Sequence, residues 1–169
     1  MTARVGARWG PYAQRTPTPV PPHQPNCLGC GDDNPCGMGL RLVSDGDRVS
    51  GEVTLDRRHE GAPGYAHGGA IATLLDDALG SLLVMMRVPA VTVNLNVDYR
   101  RPALLGRAFA IRGWVERTEG RKLYFAGDLR DGDTVVAEAR GLFLKVDVEH
   151  FLRGARHAAD SDLPRTLPW

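Results

Sequence analysis

The stretch that decides how this chain is interpreted covers residues 67–80 and reads HGGAIATLLDDALG. Its apolar residues predict a helix over residues 67–87, apolar nearly all round and ended by Pro89. Polar chemistry occurs at two places: His67 with two glycines at the start, and a carboxylate about two turns later. Because such a helix must be covered on most sides, we expect it at the centre of the fold.

The segments around this helix have the alternating pattern of strands. Residues 91–99 read VTVNLNVDY, apolar at odd positions and polar at all the even ones, which predicts a half-buried strand. Three more strands are predicted near residues 107–117, 122–130 and 134–146, with tight turns at Glu119-Gly120 and Asp131-Gly132. Ahead of the helix, residues 37–42 and 49–55 flank a turn signal at residues 45–47 and predict a hairpin.

This order of elements predicts an α+β protein with the hotdog fold, in which an antiparallel sheet wraps around one long apolar helix. The side chains expected on the inner face are Val91, Val93, Leu95, Val97, Phe109, Ile111 and Val115. The length of 169 residues fits one domain. We place it at residues 26–147, between a proline-rich disordered arm at residues 1–25 and a loose tail at residues 148–169.

The charge distribution argues against nucleic-acid and membrane partners. The net charge is +1, acidic and basic residues are interspersed, and we find no apolar run of membrane-spanning length. The N-terminus lacks the apolar centre of a secretory signal, which makes a cytoplasmic location the expectation.

All three cysteines of the chain, Cys27, Cys30 and Cys36, lie within ten residues. Cys27 and Cys30 have the spacing of half a zinc site, which only Cys36 and His23 could complete. Since the second half of the usual paired signature is missing, we expect no metal site. A disulfide is not favoured in a reducing compartment. We expect a turn-rich loop in which the cysteines pack locally.

The polar groups of the central helix suggest an active site shared by two chains. A helix N-terminus suits an oxygen that becomes negative during a reaction, and a carboxylate on a buried helix needs a partner or a purpose. Gly68 and Asp76 are eight residues apart, or about 12 Å along the axis, so one carbonyl cannot contact both in a single chain. Antiparallel helices across a two-fold axis would bring them together, which predicts a homodimer or a tetramer.

Several segments resemble the hotdog acyl-CoA thioesterases of the phenylacetate-pathway (PaaI-like) type. They are residues 60–69 (EGAPGYAHGG), 74–76 (LLD), 91–93 (VTV) and 98–102 (DYRRP). Residues 27–37, CLGCGDDNPCG, are similar to the corresponding segment of the subgroup containing the mammalian thioesterase-superfamily-member proteins. The resemblance implies hydrolysis of a thioester of coenzyme A or of an acyl carrier protein, with coenzyme A as part of the substrate and no separate cofactor.

The resemblance places the oxyanion donor on the backbone N–H of Gly68, with His67 shaping the turn and Gly69 beside the substrate. Many relatives carry an Asn or Gln about six residues before the histidine. That position is Gly61 here, so the contact is either missing or supplied by Glu60.

Helical projection does not choose between Asp76 and Asp77, which lie on opposite flanks of the apolar centre. The resemblance selects Asp76 as the catalytic acid, acting as general base or nucleophile, and Thr92 as the hydroxyl that positions water. A carboxylate among Leu and Met side chains should have a raised pKa. Asp77 shares its side with Thr73 and Ser81, and we expect it to be solvated or to contact a catalytic group.

Two arginines are candidates for binding the substrate. Arg100 and Arg101 end a strand and either bind the phosphates of coenzyme A, which we favour, or are ordinary solvated charges.

The alternative to an enzyme is a non-catalytic acyl-CoA-binding hotdog module. A hotdog dehydratase fits less well, because that chemistry needs a histidine base on a differently spaced motif.

Overall fold

The computed structural model describes residues 17–160 and has one antiparallel sheet packed on a long helix. The elements are β1 (Thr18–Pro19), β2 (Leu42–Asp45), β3 (Arg48–Thr54), a 3₁₀ helix (Arg57–His59), α1 (Gly68–Met86), β4 (Ala90–Tyr99), β5 (Ala108–Glu119), β6 (Lys122–Asp131), β7 (Thr134–Lys145) and α2 (Val148–Asp160). The seven strands lie in the order β1-β2-β3-β5-β6-β7-β4. The predicted architecture of an antiparallel sheet around one apolar helix is confirmed.

Helix α1 has the predicted extent and forms the core with the sheet. His67 is its N-cap, and Arg87, in the left-handed conformation, ends it. By length and composition alone α1 could cross a membrane, so the expectation that no apolar run reaches that length is wrong. Its apolarity is accounted for by packing, since its central residues Leu74, Leu75 and Ala78 are fully buried within the fold.

Glycines in three neighbouring strands let α1 approach the sheet closely. A Cβ atom added at Gly113, Gly127 or Gly141 would lie 3.1–3.3 Å from a terminal carbon of Leu79 on α1. A larger residue would crowd the Leu79 side chain at each position. At Gly127 it would also meet the carbonyl oxygen of Arg112 at 2.5 Å, and at Gly141 the ring of Phe143 at 2.6 Å, so glycine is explained here by close packing. This contact sets the distance between α1 and the strands β5, β6 and β7.

Two predicted strand details differ from the structure. The first strand of the hairpin is residues 42–45 and not residues 37–42, because Met38 and Leu40 donate their N–H groups to carbonyls of the loop at residues 28–29. Val93, expected on the inner face, is 51% exposed, because β4 has a bulge between Thr92 and Asn94 where it pairs with β7. Phe109 and Ile111 are fully buried, as predicted.

Both ends of the described chain contain regular structure where we expected none. Within the predicted arm, Thr18 and Pro19 pair with β2, and His23 lies against α1. Residues 148–160 of the predicted tail form α2, on which Val148, Phe151 and Leu152 follow helical spacing and are exposed. Residues 1–16 and 161–169, which complete the predicted arm and tail, lie outside the described residues.

Candidate active site

The start of α1 presents one backbone amide to the outside. His67, in an extended conformation, accepts a hydrogen bond on Nδ1 from the N–H of Gly69 at 2.8 Å and so caps the helix. Among residues 17–160, the N–H of Gly68 donates no hydrogen bond. A free N–H at the positive end of a helix dipole can bind a substrate oxygen that gains negative charge.

Tyr99 holds the first turn of α1 in place, a contact that the sequence analysis missed. Its hydroxyl donates a hydrogen bond to the carbonyl oxygen of Gly68 at 2.8 Å. A Cβ atom at Gly68 would lie 3.3 Å from the same hydroxyl, so a larger residue would crowd this contact. The only sequence signal was a tyrosine at the last odd position of a strand whose other odd positions are aliphatic.

The loop before α1 explains why glycine occupies position 61. A Cβ atom at Gly61 would lie 2.9 Å from Cα of His67, so a side chain there would collide with the helix cap. Glu60 accepts a hydrogen bond from the N–H of Gly64 at 2.6 Å and thereby closes the loop. Glu60 and His67 also line a cavity of about 360 Å³ together with Thr73.

Asp76 lies in the middle of α1 and pairs with Thr92 on β4. The Thr92 hydroxyl donates to Oδ1 of Asp76 at 3.0 Å. Burial raises the pKa of Asp76 above its usual value, and this outweighs the hydrogen bond from Thr92, which acts in the opposite direction. The pair opens into a cavity of about 280 Å³ that Phe143 and Phe151 also line. A partly desolvated carboxylate beside an apolar cavity can act as a general base or as a nucleophile.

Asp77 points to the other flank of α1, into the loop that carries the cysteines. Its side chain is 9% exposed and lies 3.2 Å from Nδ1 of His23. The Sγ atoms of Cys27 and Cys30 lie 3.1 and 3.7 Å from Oδ1 of Asp77. The possibility that Asp77 is a solvated residue is therefore wrong, because the N-terminal loop covers this flank. Cys36, considered as a metal ligand, is exposed and lies apart from this cluster.

Electrostatic interactions within this cluster are strong. Hydrogen bonding to Asp77 raises the pKa of His23. Burial acts to raise the pKa of Asp77, but the hydrogen bond and the attraction from His23, together with the hydrogen bonds from Cys27 and Cys30, hold it below its usual value. Burial raises the pKa of the Cys30 thiol to about 12. His23 and Asp77 thus favour each other's charged forms, whereas burial favours the protonated form of the Cys30 thiol.

The two predicted phosphate-binding arginines differ in their surroundings. Arg100 donates to Glu138 at 2.9 Å and lies 3.4 Å from Asp98, so its charge is already balanced. Arg101 has no ion-pair partner among residues 17–160. Both arginines line a cavity of about 380 Å³ that reaches Gly68 at the start of α1. Arg101 is therefore the better placed of the two to bind an anionic part of a ligand.

One chain contains two separate halves of the candidate site. Gly68 and Arg101 line the cavity at the start of α1, whereas Asp76 and Thr92 line the cavity in its middle. The rise of a helix separates Gly68 from Asp76 by about 12 Å along the axis. No single carbonyl group can contact both within one chain.

Comparison with known proteins identifies the family. Residues 63–138 match the model of the Thioesterase superfamily. Acyl-coenzyme A thioesterase THEM4 of Bos taurus is 41% identical over 92 residues, which are 53% of this chain and 38% of the bovine protein. A Pseudomonas aeruginosa protein named as an esterase is 33% identical over 94 residues, 54% of this chain and 70% of that protein. The chain thus spans well under half the length of the bovine thioesterase.

Solved structures agree with this assignment. The crystal structure of a thioesterase superfamily protein matches at a TM-score of 0.68 and 32% identity, covering 72% of this chain and 61% of that one. Escherichia coli PaaI matches in fold at a TM-score of 0.58 and 19% identity, covering 62% of this chain and 81% of PaaI. This chain belongs to the thioesterase superfamily, and the predicted hotdog fold of PaaI-like type is confirmed.

Proposed function

We propose that this protein hydrolyses the thioester bond of an acyl-CoA to give a free acid and coenzyme A. The observation that carries the proposal is the Asp76 carboxylate, half-buried on an apolar helix, held by Thr92 and open to an apolar cavity. Burying a charged group costs free energy. A catalytic base beside a cavity with room for an acyl chain accounts for a carboxylate in this place.

The complete site is built from two chains. The N–H of Gly68 in one protomer binds the carbonyl oxygen of the thioester, and the partner subunit's Asp76 approaches the carbonyl carbon. Within one helix these two positions are about 12 Å apart, so Gly68 and Asp76 of the same chain cannot both contact one thioester carbonyl. An isologous dimer in which the two α1 helices run antiparallel provides two equivalent sites.

Thr92 orients both the carboxylate and the water. Because its hydroxyl hydrogen is donated to Asp76, its oxygen can only accept, so a bound water donates one hydrogen to Thr92 and the other to Asp76. The water oxygen then attacks the carbonyl carbon while its proton moves to the carboxylate. The C–S bond breaks as the tetrahedral intermediate collapses, and the proton passes to the leaving thiolate.

A second route uses the same carboxylate as the nucleophile. Attack of Asp76 on the thioester would give a mixed anhydride and free thiol, and water would then hydrolyse the anhydride. A single turnover in ¹⁸O-labelled water distinguishes general base catalysis from an anhydride route in which water attacks the Asp76 carbonyl. With general base catalysis the label enters the product acid, whereas attack of water on the Asp76 carbonyl of the anhydride leaves the label in the protein.

Coenzyme A enters as part of the substrate, and we propose no separate cofactor. Arg101, which has no carboxylate partner among the described residues, is placed to bind a phosphate of the nucleotide at the mouth of the cavity beside Gly68. The acyl-CoA thioesterase name of THEM4, at 41% identity over the matched segment, supports coenzyme A over other thiols.

Thiol release tests this function. The purified protein is incubated with acyl-CoAs of short, medium and long chains and with the same acyl groups on acyl carrier protein, and a disulfide dye reports the free thiol. We expect saturable release from at least one acyl-CoA, with little release from the carrier protein. Saturable binding of acyl-CoA without release would instead identify a non-catalytic binding module and would overturn the proposal.

A further inference from the structure

We propose that His23, Cys27, Cys30 and Asp77 form a structural site for a tetrahedral divalent cation of the zinc class, which fastens the N-terminal segment to helix α1. The ligand atoms of these four side chains all lie within 4.8 Å of one another. They come from two distant parts of the chain, a loop at residues 23–30 and the middle of α1. The proposal departs from the expectation of no metal site, which considered Cys36 and His23 but not Asp77 as the completing ligands. This inference is independent of the proposed thioesterase activity.

Four of the six distances between ligand atoms in the cluster are close to those of a tetrahedral site. Zinc bonds of about 2.0–2.3 Å to nitrogen, oxygen and sulfur place neighbouring ligand atoms about 3.3–3.8 Å apart. In this protein Nδ1 of His23 lies 3.2 Å from Oδ1 of Asp77 and 3.1 Å from Sγ of Cys30. The two sulfur-to-Asp77 distances are 3.1 and 3.7 Å. Small outward shifts of the ligand atoms would therefore accommodate the ion.

The loop is shaped to bring these groups together. A Cβ atom at Gly29, between the two cysteines, would lie 2.3 Å from Cγ of Asp77, so only glycine lets the loop approach this closely. A Cβ atom at Gly80, one turn after Asp77, would lie 3.1 Å from Nε2 of His23. Backbone packing from both sides thus fixes the positions of the ligands.

The protein alone leaves a polar atom of the cluster unsatisfied. Oδ2 of Asp77 is buried and has no hydrogen-bond partner among the described residues. Both cysteines are free thiols and not a disulfide. A buried carboxylate oxygen without a partner is costly, and a cation bound to Asp77 would compensate its charge.

The donor set selects the class of ion. Two sulfurs and one imidazole favour zinc and other late divalent transition metals over calcium or magnesium, which prefer oxygen. All four tetrahedral positions are filled by the protein, so the site is closed and structural, with no open position for a substrate. Its effect is to hold residues 23–30 on α1 next to Asp76.

Cobalt binding tests this site directly. The reduced full-length protein is stripped of metal with a chelator and titrated with Co²⁺. We expect about one equivalent to bind, with intense visible d–d bands of tetrahedral Co²⁺ and a near-ultraviolet thiolate charge-transfer band. Added Zn²⁺ should abolish these bands. A wild-type protein that binds no stoichiometric Co²⁺, or that gives only a weak octahedral spectrum, would overturn the proposal.

Variants assign the ligands. Cys27→Ser should lose the charge-transfer intensity contributed by one thiolate, and Asp77→Asn should bind Co²⁺ much more weakly. Cys36→Ser, the control, should keep the wild-type spectrum, because Cys36 lies outside the cluster. Zn²⁺ should raise the Tm of wild type and of Cys36→Ser but not of Cys27→Ser. If Cys36→Ser loses binding and Cys27→Ser keeps it, the assignment is wrong. The wild-type titration decides even if a ligand variant fails to fold.

Discussion

Replacing Asp76 by asparagine should separate catalysis from folding. The two side chains have nearly the same shape, and the asparagine oxygen can still accept the hydrogen bond from Thr92. The variant cannot accept a proton or attack a carbonyl. Loss of a general base should lower kcat about 10²–10⁴-fold, and more if Asp76 is the nucleophile. A loss of 10²-fold corresponds to about 2.7 kcal/mol of transition-state stabilisation.

The same variant should be at least as stable as the wild type. Burial raises the pKa of Asp76, which means that the folded protein disfavours the charged form and that the carboxylate costs stability at neutral pH. A neutral amide removes this cost, so the Tm should stay unchanged or rise. The assays are thiol release from acyl-CoA and thermal unfolding, both on the same preparation.

Asp77→Asn is the matched comparison, since it changes the neighbouring carboxylate in the same way. It disrupts the contacts of Asp77 with His23 and the two cysteines, so its Tm should fall. Its turnover per folded protein should stay much closer to the wild type, because Asp76 is intact. Activity within tenfold of wild type in Asp76→Asn would refute a catalytic role for this carboxylate, and a reversed pair of results would assign that role to Asp77.

Three further predictions concern single side chains. Thr92→Ala should lower kcat modestly with little change in KM, because the hydroxyl acts in the chemical step; an unchanged kcat would make it an ordinary strand residue. Leu79→Ala should destabilise the fold by about 2–5 kcal/mol in denaturant unfolding, since Leu79 is fully buried against the sheet; a loss below about 1 kcal/mol would contradict the described packing. Burial tends to raise the pKa of Asp128, but hydrogen bonds from Arg112 and Arg130 outweigh this and hold the pKa below its usual value. This interaction stabilises the fold above about pH 4, and its contribution is lost as the pH falls through the pKa of Asp128 in the folded protein. Asp128→Asn should therefore cost about 1–3 kcal/mol at neutral pH. The variant should also lose less unfolding free energy in acid than the wild type does. If the unfolding free energy of Asp128→Asn falls as steeply in acid as that of the wild type, other carboxylates determine the acid dependence of stability.

Periodicity predicted the elements of this fold but not their irregularities. The alternation in residues 91–99 reports the pleat of a strand, and β4 forms there. The exposure of Val93 follows from a bulge in the pairing with β7, which depends on residues about fifty positions later. Helix α2 had a local signal in Val148, Phe151 and Leu152, which share one helical face.

The candidate site could be predicted where its groups lie close in sequence. The pattern of His67, Gly68 and Asp76 on one helix was readable because helical spacing determines their separation. The environment of Asp77 could not be predicted, because Cys27 lies 50 residues away in sequence. Nothing in the helix sequence shows which flank of the helix a loop will cover. The pair of cysteines and an unexplained carboxylate were the available signals.

Complementation between two inactive variants tests the shared active site most directly. Asp76→Asn removes the base, and Gly68→Val crowds the oxyanion position, where a Cβ atom would lie 3.3 Å from the hydroxyl of Tyr99. Neither homodimer should release thiol from acyl-CoA. In a mixed dimer one site receives both changes and the other is intact, so we predict about half of the wild-type activity per heterodimer. No recovery in a sample with demonstrated subunit exchange would show that the catalytic groups act within one chain and would contradict the two-chain site.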